Sequence, residues 1–140
     1  MQVVKTGFTN DVVDYLDQHH TMTLSTSSFT GLPHANTALY VHDGTRITFL
    51  ARHGSILLQN INLNRHAAFT IDDYSSQWGR RKELHGEGGC EPKAGSDLES
   101  VTVLWTAKYE LSVPDGVLCD LSPTGLYFIV YDADSDEPAT

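Results

Sequence analysis

Basic residues are scarce in this chain. Nine lysines and arginines stand against eighteen aspartates and glutamates, a formal charge of −9 over 140 residues, and no block of basic residues stands out. Nucleic acid and anionic membrane surfaces need clustered cations, so neither is an expected partner. Cysteine is nearly absent. Cys90 and Cys119 are too few for a disulfide framework, and their spacing fits no zinc motif, which makes a reduced, cytoplasmic setting the expectation. No apolar run approaches the roughly 20 residues that cross a bilayer. The start lacks a basic segment followed by an apolar one, so no signal peptide is expected. Gly-x-Ser-x-Gly, His-Glu-x-x-His and a Walker loop are all missing, which removes the familiar hydrolase, zinc-protease and nucleotide-binding signatures.

What is present centres on Gly31 to Ile61. Ala35, Thr37, Leu39 and Val41 alternate with Asn36, Ala38 and Tyr40, the period of a half-buried strand. Asp43-Gly44 is a short-range hairpin signal, because both central residues of the favoured turn need positive φ. Arg46 to Ala51 is β-branched and aromatic, a second strand. Ser55 stands where an N-cap belongs, ahead of an apolar run that gives a helix a buried side. A helix opening straight after a Gly-containing loop offers free N–H groups and a positive dipole end to an anion. Arg52 and Ser55 flank that start, one with charge and one with a hydroxyl. Taken alone, the two residues read as an ordinary cap and a solvated charge, since caps far outnumber phosphate sites.

The rest of the chain supplies further strands and helices. Met1 to Gly7 reads as an irregular arm. Thr9 or Asn10 caps a first helix carrying Val12, Val13 and Leu16, which ends near His19-His20, where imidazoles complement the dipole. Thr21 to Ser27 and His66 to Ile71 read as strands, and the acidic pair Asp72-Asp73 as a solvated turn. Arg80 to Glu91 reads as a strand whose Gly86, Gly88 and Gly89 mark a bulge or a close backbone approach. His85, Glu87 and Cys90 form a weak metal pattern, since Cys90 falls on the other face of that strand. Ser96 and Glu99 make a capping box, followed by Leu98, Val101, Leu104, Trp105 and Lys108 at helical spacing. Val117 to Leu121 and Leu126 to Tyr131 read as two strands around Ser-Pro-Thr-Gly, and residues 132–140 as an acidic tail. Six or seven short strands with three helices predict one domain over residues 1–140, ordered from about 9 to 131. Its fold class is mainly β (α+β): an antiparallel β-barrel with short flanking helices.

The order of motifs carries more than any one of them. Met-Thr-Leu-Ser-Thr is followed by Gly-x-Pro-His, the Asp-Gly hairpin and Ser at a helix start. Then come Gln-Asn-Ile, Asn-x-x-Ala-Ala-Phe and a Gly-bearing strand after Trp78. Over residues 10 to 131 this resembles the pyridoxamine 5′-phosphate oxidase-like superfamily of FMN-binding split β-barrels. The resemblance implies a homodimer with the flavin in a cleft between subunits. It implies that Ala35, Asn36 and Thr37 line the isoalloxazine ring and that Arg52 and Ser55 hold the phosphate. Trp78, Arg80 and Arg81 would approach the flavin from the second subunit, with Trp78 and Tyr40 either walling the pocket or serving as core. Two positions depart from the family pattern: Ala51 stands where Thr is frequent and Leu57 where Lys is frequent. Losing a hydroxyl and an ammonium weakens a phosphate site, and a bidentate Arg52 would compensate in part. The function implied is an FMN-dependent oxidoreductase acting on an unknown small molecule. The alternatives are a flavin- or ligand-binding module without turnover, and a split barrel using F420 or haem.

Overall fold

The computed structural model describes residues 1–73, 81–93 and 97–131. The elements run β1 (Gln2–Thr6), α1 (Asn10–Gln18), β2 (Thr21–Ser27), β3 (Pro33–Asp43), β4 (Arg46–Ala51), α2 (Ile56–Leu63), β5 (His66–Asp72), β6 (Lys82–Pro92), α3 (Asp97–Tyr109) and β7 (Val117–Val130). The strands follow the order β1-β7-β4-β3-β2-β5-β6, and β6 pairs again with β7. All pairings are antiparallel. Six strands therefore close a barrel, β1 attaches outside it along β7, and short helices flank it, as a mainly β split barrel requires.

Period-two patterning fills the interior. Met22 and Leu24 on β2, Phe69 and Ile71 on β5, and Ile47 and Phe49 on β4 all point inward and are at most 2 % exposed. Each large apolar side chain so buried contributes about 1.5–3 kcal/mol. Leu16 from α1 and Ile61 from α2 close the same cluster. The predicted caps hold: Thr9 accepts from the Val12 N–H and Ser55 from the Leu58 N–H. α1 ends one residue before His19, whose ring instead meets the Tyr15 carbonyl at 2.6 Å and the Asp73 carboxylate.

Three local expectations are corrected. The irregular arm is a strand, because Gln2 to Thr6 pairs with Val130 to Leu126. The two late strands are one, 14 residues long, with Pro123 opposite Gly88 where the β6–β7 register shifts. At that point a Cβ on Gly88 would lie 2.1 Å from the Ser122 carbonyl oxygen, so only glycine lets the strands close there. The hairpin turn is Gly44-Thr45, flanked by the Asp43–Arg46 pair. Only its first residue takes positive φ, at 58°, whereas the Asp43-Gly44 reading placed both there. The proposed cap Ser96 lies outside the described residues.

A second, smaller apolar patch lies on the outside of the barrel. Val101 and Trp105 of α3 cover Val41 and Leu118. Lys108 reaches over the Tyr40 ring, 3.9 Å from its centroid, and donates to the Leu16 carbonyl at 3.2 Å. The chain leading to α3 is pinned by Lys93, which donates to the buried Asp120 at 2.9 Å, while Thr48 donates to the other carboxylate oxygen at 2.6 Å.

Candidate cofactor groove

The split in the barrel lies where β4 parts from β3 after Phe49 and continues along β7. β3 pairs with β2 along Pro33 to Leu39 but with β4 only along Tyr40 to Asp43. Tyr40 N–H donates to the Tyr109 hydroxyl at 3.0 Å, and that hydroxyl also reaches the His20 carbonyl at 2.8 Å. The backbone groups of Tyr40 therefore face the β2 side. Alternation along an antiparallel strand then aims the N–H and C=O groups of Ala35, Thr37 and Leu39 the other way, toward the gap that β4 leaves. A groove of about 240 Å³ occupies that gap, lined by His34, Asn36, Thr37, Ala38, Leu39, Leu50, Arg52, Ser55, Leu57 and Pro114.

The polar atoms of the groove are unevenly engaged. Asn36 donates from Nδ2 to the Thr37 carbonyl at 3.3 Å, which fixes the orientation of its amide. Its Oδ1 is buried and has no partner, and a buried acceptor left unmatched costs about 1–3 kcal/mol. Such an atom in a groove wall points to a ligand that brings a donor. The Ser55 hydroxyl is committed to the Leu58 N–H at 3.1 Å, leaving the N–H groups of Ile56 and Leu57 as the free donors of the helix start. Arg52 is exposed. Leu57 is 3 % exposed and packs in the core, as do Ala51 and Ala38.

Four of the eight residues that the sequence singled out meet here: Asn36, Thr37, Arg52 and Ser55. Ala35 sits on the open edge of β3 with its side chain exposed and does not line the groove. Arg81, expected to reach the flavin of a second subunit, lies away from this chain's own groove. Its guanidinium is held by Asp72 at 3.2 Å and by Glu83, and stacks over Tyr131. Asp72 is thus an ion-pair partner rather than a solvated turn residue. Trp78 and Arg80 lie outside the described residues. Tyr40 is fully buried, donates to the Leu16 carbonyl at 2.8 Å, and is core. Sequence reasoning missed His34, Leu50 and Pro114. The first was quoted in a motif without a role, and the other two arrive from β4 and the α3–β7 connection, where no local pattern marks them. Cys90 and Cys119 are free and buried, and burial pushes both thiols up to about 12. No group of three metal-ligating side chains forms among the described residues.

Comparison with known proteins adds a family and a set of like structures. A family model described as pyridoxamine 5′-phosphate oxidase matches residues 8–127. No curated protein matches the sequence. Among solved structures, a conserved hypothetical protein of Mycobacterium tuberculosis aligns with a TM-score of 0.75 and 17% identity, covering 93% of this chain and 88% of its own. HutZ, the haem storage protein of Vibrio cholerae, aligns at 0.72 and 19%, covering 87% and 94%. The FAD-binding protein of Mycobacterium smegmatis aligns at 0.72 and 13%, covering 94% and 98%. At such identities the likeness is one of fold.

Proposed function

The chain belongs to the pyridoxamine 5′-phosphate oxidase family, and on that premise we propose that its groove binds the isoalloxazine ring of a flavin, FMN, in an oxidoreductase acting on a small molecule. The observation that carries this reading is the unpartnered Asn36 Oδ1 in the groove wall. A flavin presents a ring N–H flanked by two carbonyls, which matches a lone acceptor beside an open strand edge. A metallated haem has no ring N–H and brings only carboxylates, which would leave Asn36 unmatched. The deazaflavin F420 shares the ring edge, but its tail carries several carboxylates, and the groove offers only Arg52 and His34 as cation-capable groups in a chain of charge −9.

The residues have separable tasks. Asn36 and the β3 edge orient the ring, while Leu39, Leu50 and Leu57 keep water from its faces. Arg52 and the start of α2 meet the anionic end. Bound flavin would supply hydride or single-electron transfer. Absorbance of the purified protein, followed by flavin titration of wild type and Asn36→Leu, tests the reading. A flavin spectrum or saturable flavin binding, lost in Asn36→Leu, is expected. A haem spectrum, or an F420 spectrum with no flavin binding, overturns it. Flavin binding without oxidation of any nicotinamide donor supports the binding-module alternative.

The outer face of β2, β3 and β5 supports a homodimer. Thr21, Thr23, Ala35, Thr37, Ala68 and Thr70 stand exposed on neighbouring strands. These small uncharged residues let two copies of an acidic chain meet without repulsion, and the face borders the groove. Light scattering after size exclusion is expected to give a dimer; a monomer at micromolar concentration overturns it. Among the described residues, no helix is long and apolar enough to cross a membrane. The free, buried thiols support a cytoplasmic setting.

A further inference from the structure

We infer that the groove recognises flavins by the ring alone and holds them exchangeably, so that riboflavin, FMN and FAD are interchangeable ligands and the flavin is cargo or co-substrate rather than a resident group. This deepens the flavin reading and rests on it. The ring end of the groove combines one specific polar group with apolar walls. Asn36 Oδ1 is buried and waiting for a donor, and Leu39, Leu50 and Leu57 supply apolar walls.

The tail end is weak in each of its parts. Arg52 is its cation and is exposed, where a charge pair is screened by water and salt. The Ser55 hydroxyl is already bound to the Leu58 N–H. Ala51 has no polar side-chain atom, and Leu57 brings no charge. The rim beyond carries a carboxylate of its own: Asp115, almost fully exposed, follows the groove-lining Pro114 and sits 3.6 Å from His53, the neighbour of Arg52. That carboxylate opposes a phosphate brought to the same rim.

Size points the same way. At about 240 Å³ the groove falls below the roughly 300–1,000 Å³ of pockets that enclose whole ligands. A tricyclic ring takes up most of such a volume, which leaves the end of the ribityl chain to the exposed rim at Arg52 and Asp115. The 5′ end of the flavin then adds little affinity, and dissociation is fast because the anchoring group is missing.

Fluorescence titration of the full chain with riboflavin, FMN and FAD, at low and high salt, tests this. The three affinities are expected to fall within about fivefold of one another, with a shallow salt dependence, as an exposed charge pair allows. Arg52→Ala is expected to lower FMN affinity by less than about fivefold and leave riboflavin unchanged. Asn36→Leu is expected to weaken all three alike. FMN binding on the order of fiftyfold tighter than riboflavin, or a comparable loss for FMN alone in Arg52→Ala, overturns the inference while leaving the flavin reading intact. Failure of all three flavins to bind overturns both.

Discussion

The two halves of β3 have the same alternating sequence and opposite fates. From Tyr40 to Asp43 the strand is hydrogen-bonded to β4, and Tyr40 and Val41 are both buried, one inside the barrel and one under α3. From Pro33 to Leu39 it has β2 alone, and Ala35, Thr37 and Leu39 are exposed. The closed half stores stability in packed apolar side chains. The open half keeps polar backbone and an unmatched amide for something that is not part of the chain. Binding capacity arises where a ladder stops short: β4 parts from β3 after Phe49, and its last residues, Leu50 and Ala51, pair with β7.

The contrast is broken most severely at Leu57, which lines the open side yet belongs to the closed core. Leu57→Lys places an unpaired ammonium among apolar groups, a change on the order of 3–5 kcal/mol that a domain of ordinary stability barely survives. Thermal melting is expected to show a large drop in Tm. An unchanged melt with tighter FMN binding would instead mean that position 57 is a degraded phosphate ligand. Asn36→Leu sharpens the contrast from the other side: flavin affinity falls about tenfold, as for a lost buried hydrogen bond, while the melt stays within a few degrees. A matching loss of stability would make Asn36 structural.

The boundary between the halves is held by Tyr109. Tyr109→Phe leaves the Tyr40 N–H without its acceptor, and chemical denaturation is expected to show a loss of about 1 kcal/mol. An effect that only a change of pH reveals concerns Lys108 beside it. Burial pushes its ammonium down from 10.5 to about 8. Its folded pKa lies below the unfolded one, so between them the unfolded chain holds the extra proton and stability rises with pH. The rise is expected from about pH 8 to about pH 10, where ordinary tyrosines begin to ionise in the unfolded chain. Lys108→Met should flatten it in denaturant melts across that range; an equal slope in the variant would assign the rise to other groups.

How much of this was legible in the sequence depends on the range of the interaction. Thr9 and Ser55 announced their helices because a cap acts within three residues. Alternation around Met22 and Leu24 announced the Thr21–Ser27 strand and the face it buries, and His66 to Ile71 read as a strand that the structure extends by one residue, to Asp72. β1 was invisible because Gln-Val-Val-Lys-Thr has no alternation and its partner lies at Leu126 to Val130. β7 looked like two strands because Ser-Pro-Thr-Gly is turn chemistry, and only the bulge opposite Gly88 lets Pro123 remain in a ladder. In the groove, Asn36, Thr37, Arg52 and Ser55 were named through order and spacing. The Arg81–Asp72 ion pair was not legible, because Asp72 becomes a neighbour of Arg81 only when β5 pairs with β6.

The pairing of β1 with the end of β7 also sets a timetable for biosynthesis. β1 leaves the ribosome well before β7: its partner residues, Leu126 to Val130, are made about 120 residues later, which at usual elongation rates is roughly 6 to 24 s. Through that interval Val3 and Val4 form an unpaired apolar edge of the kind that recruits other chains. β6 waits as well, and the barrel cannot close until β7 is out. Slowed translation between β1 and β7 would lengthen the exposure, and a holdase that covers β1 would be most useful in those seconds.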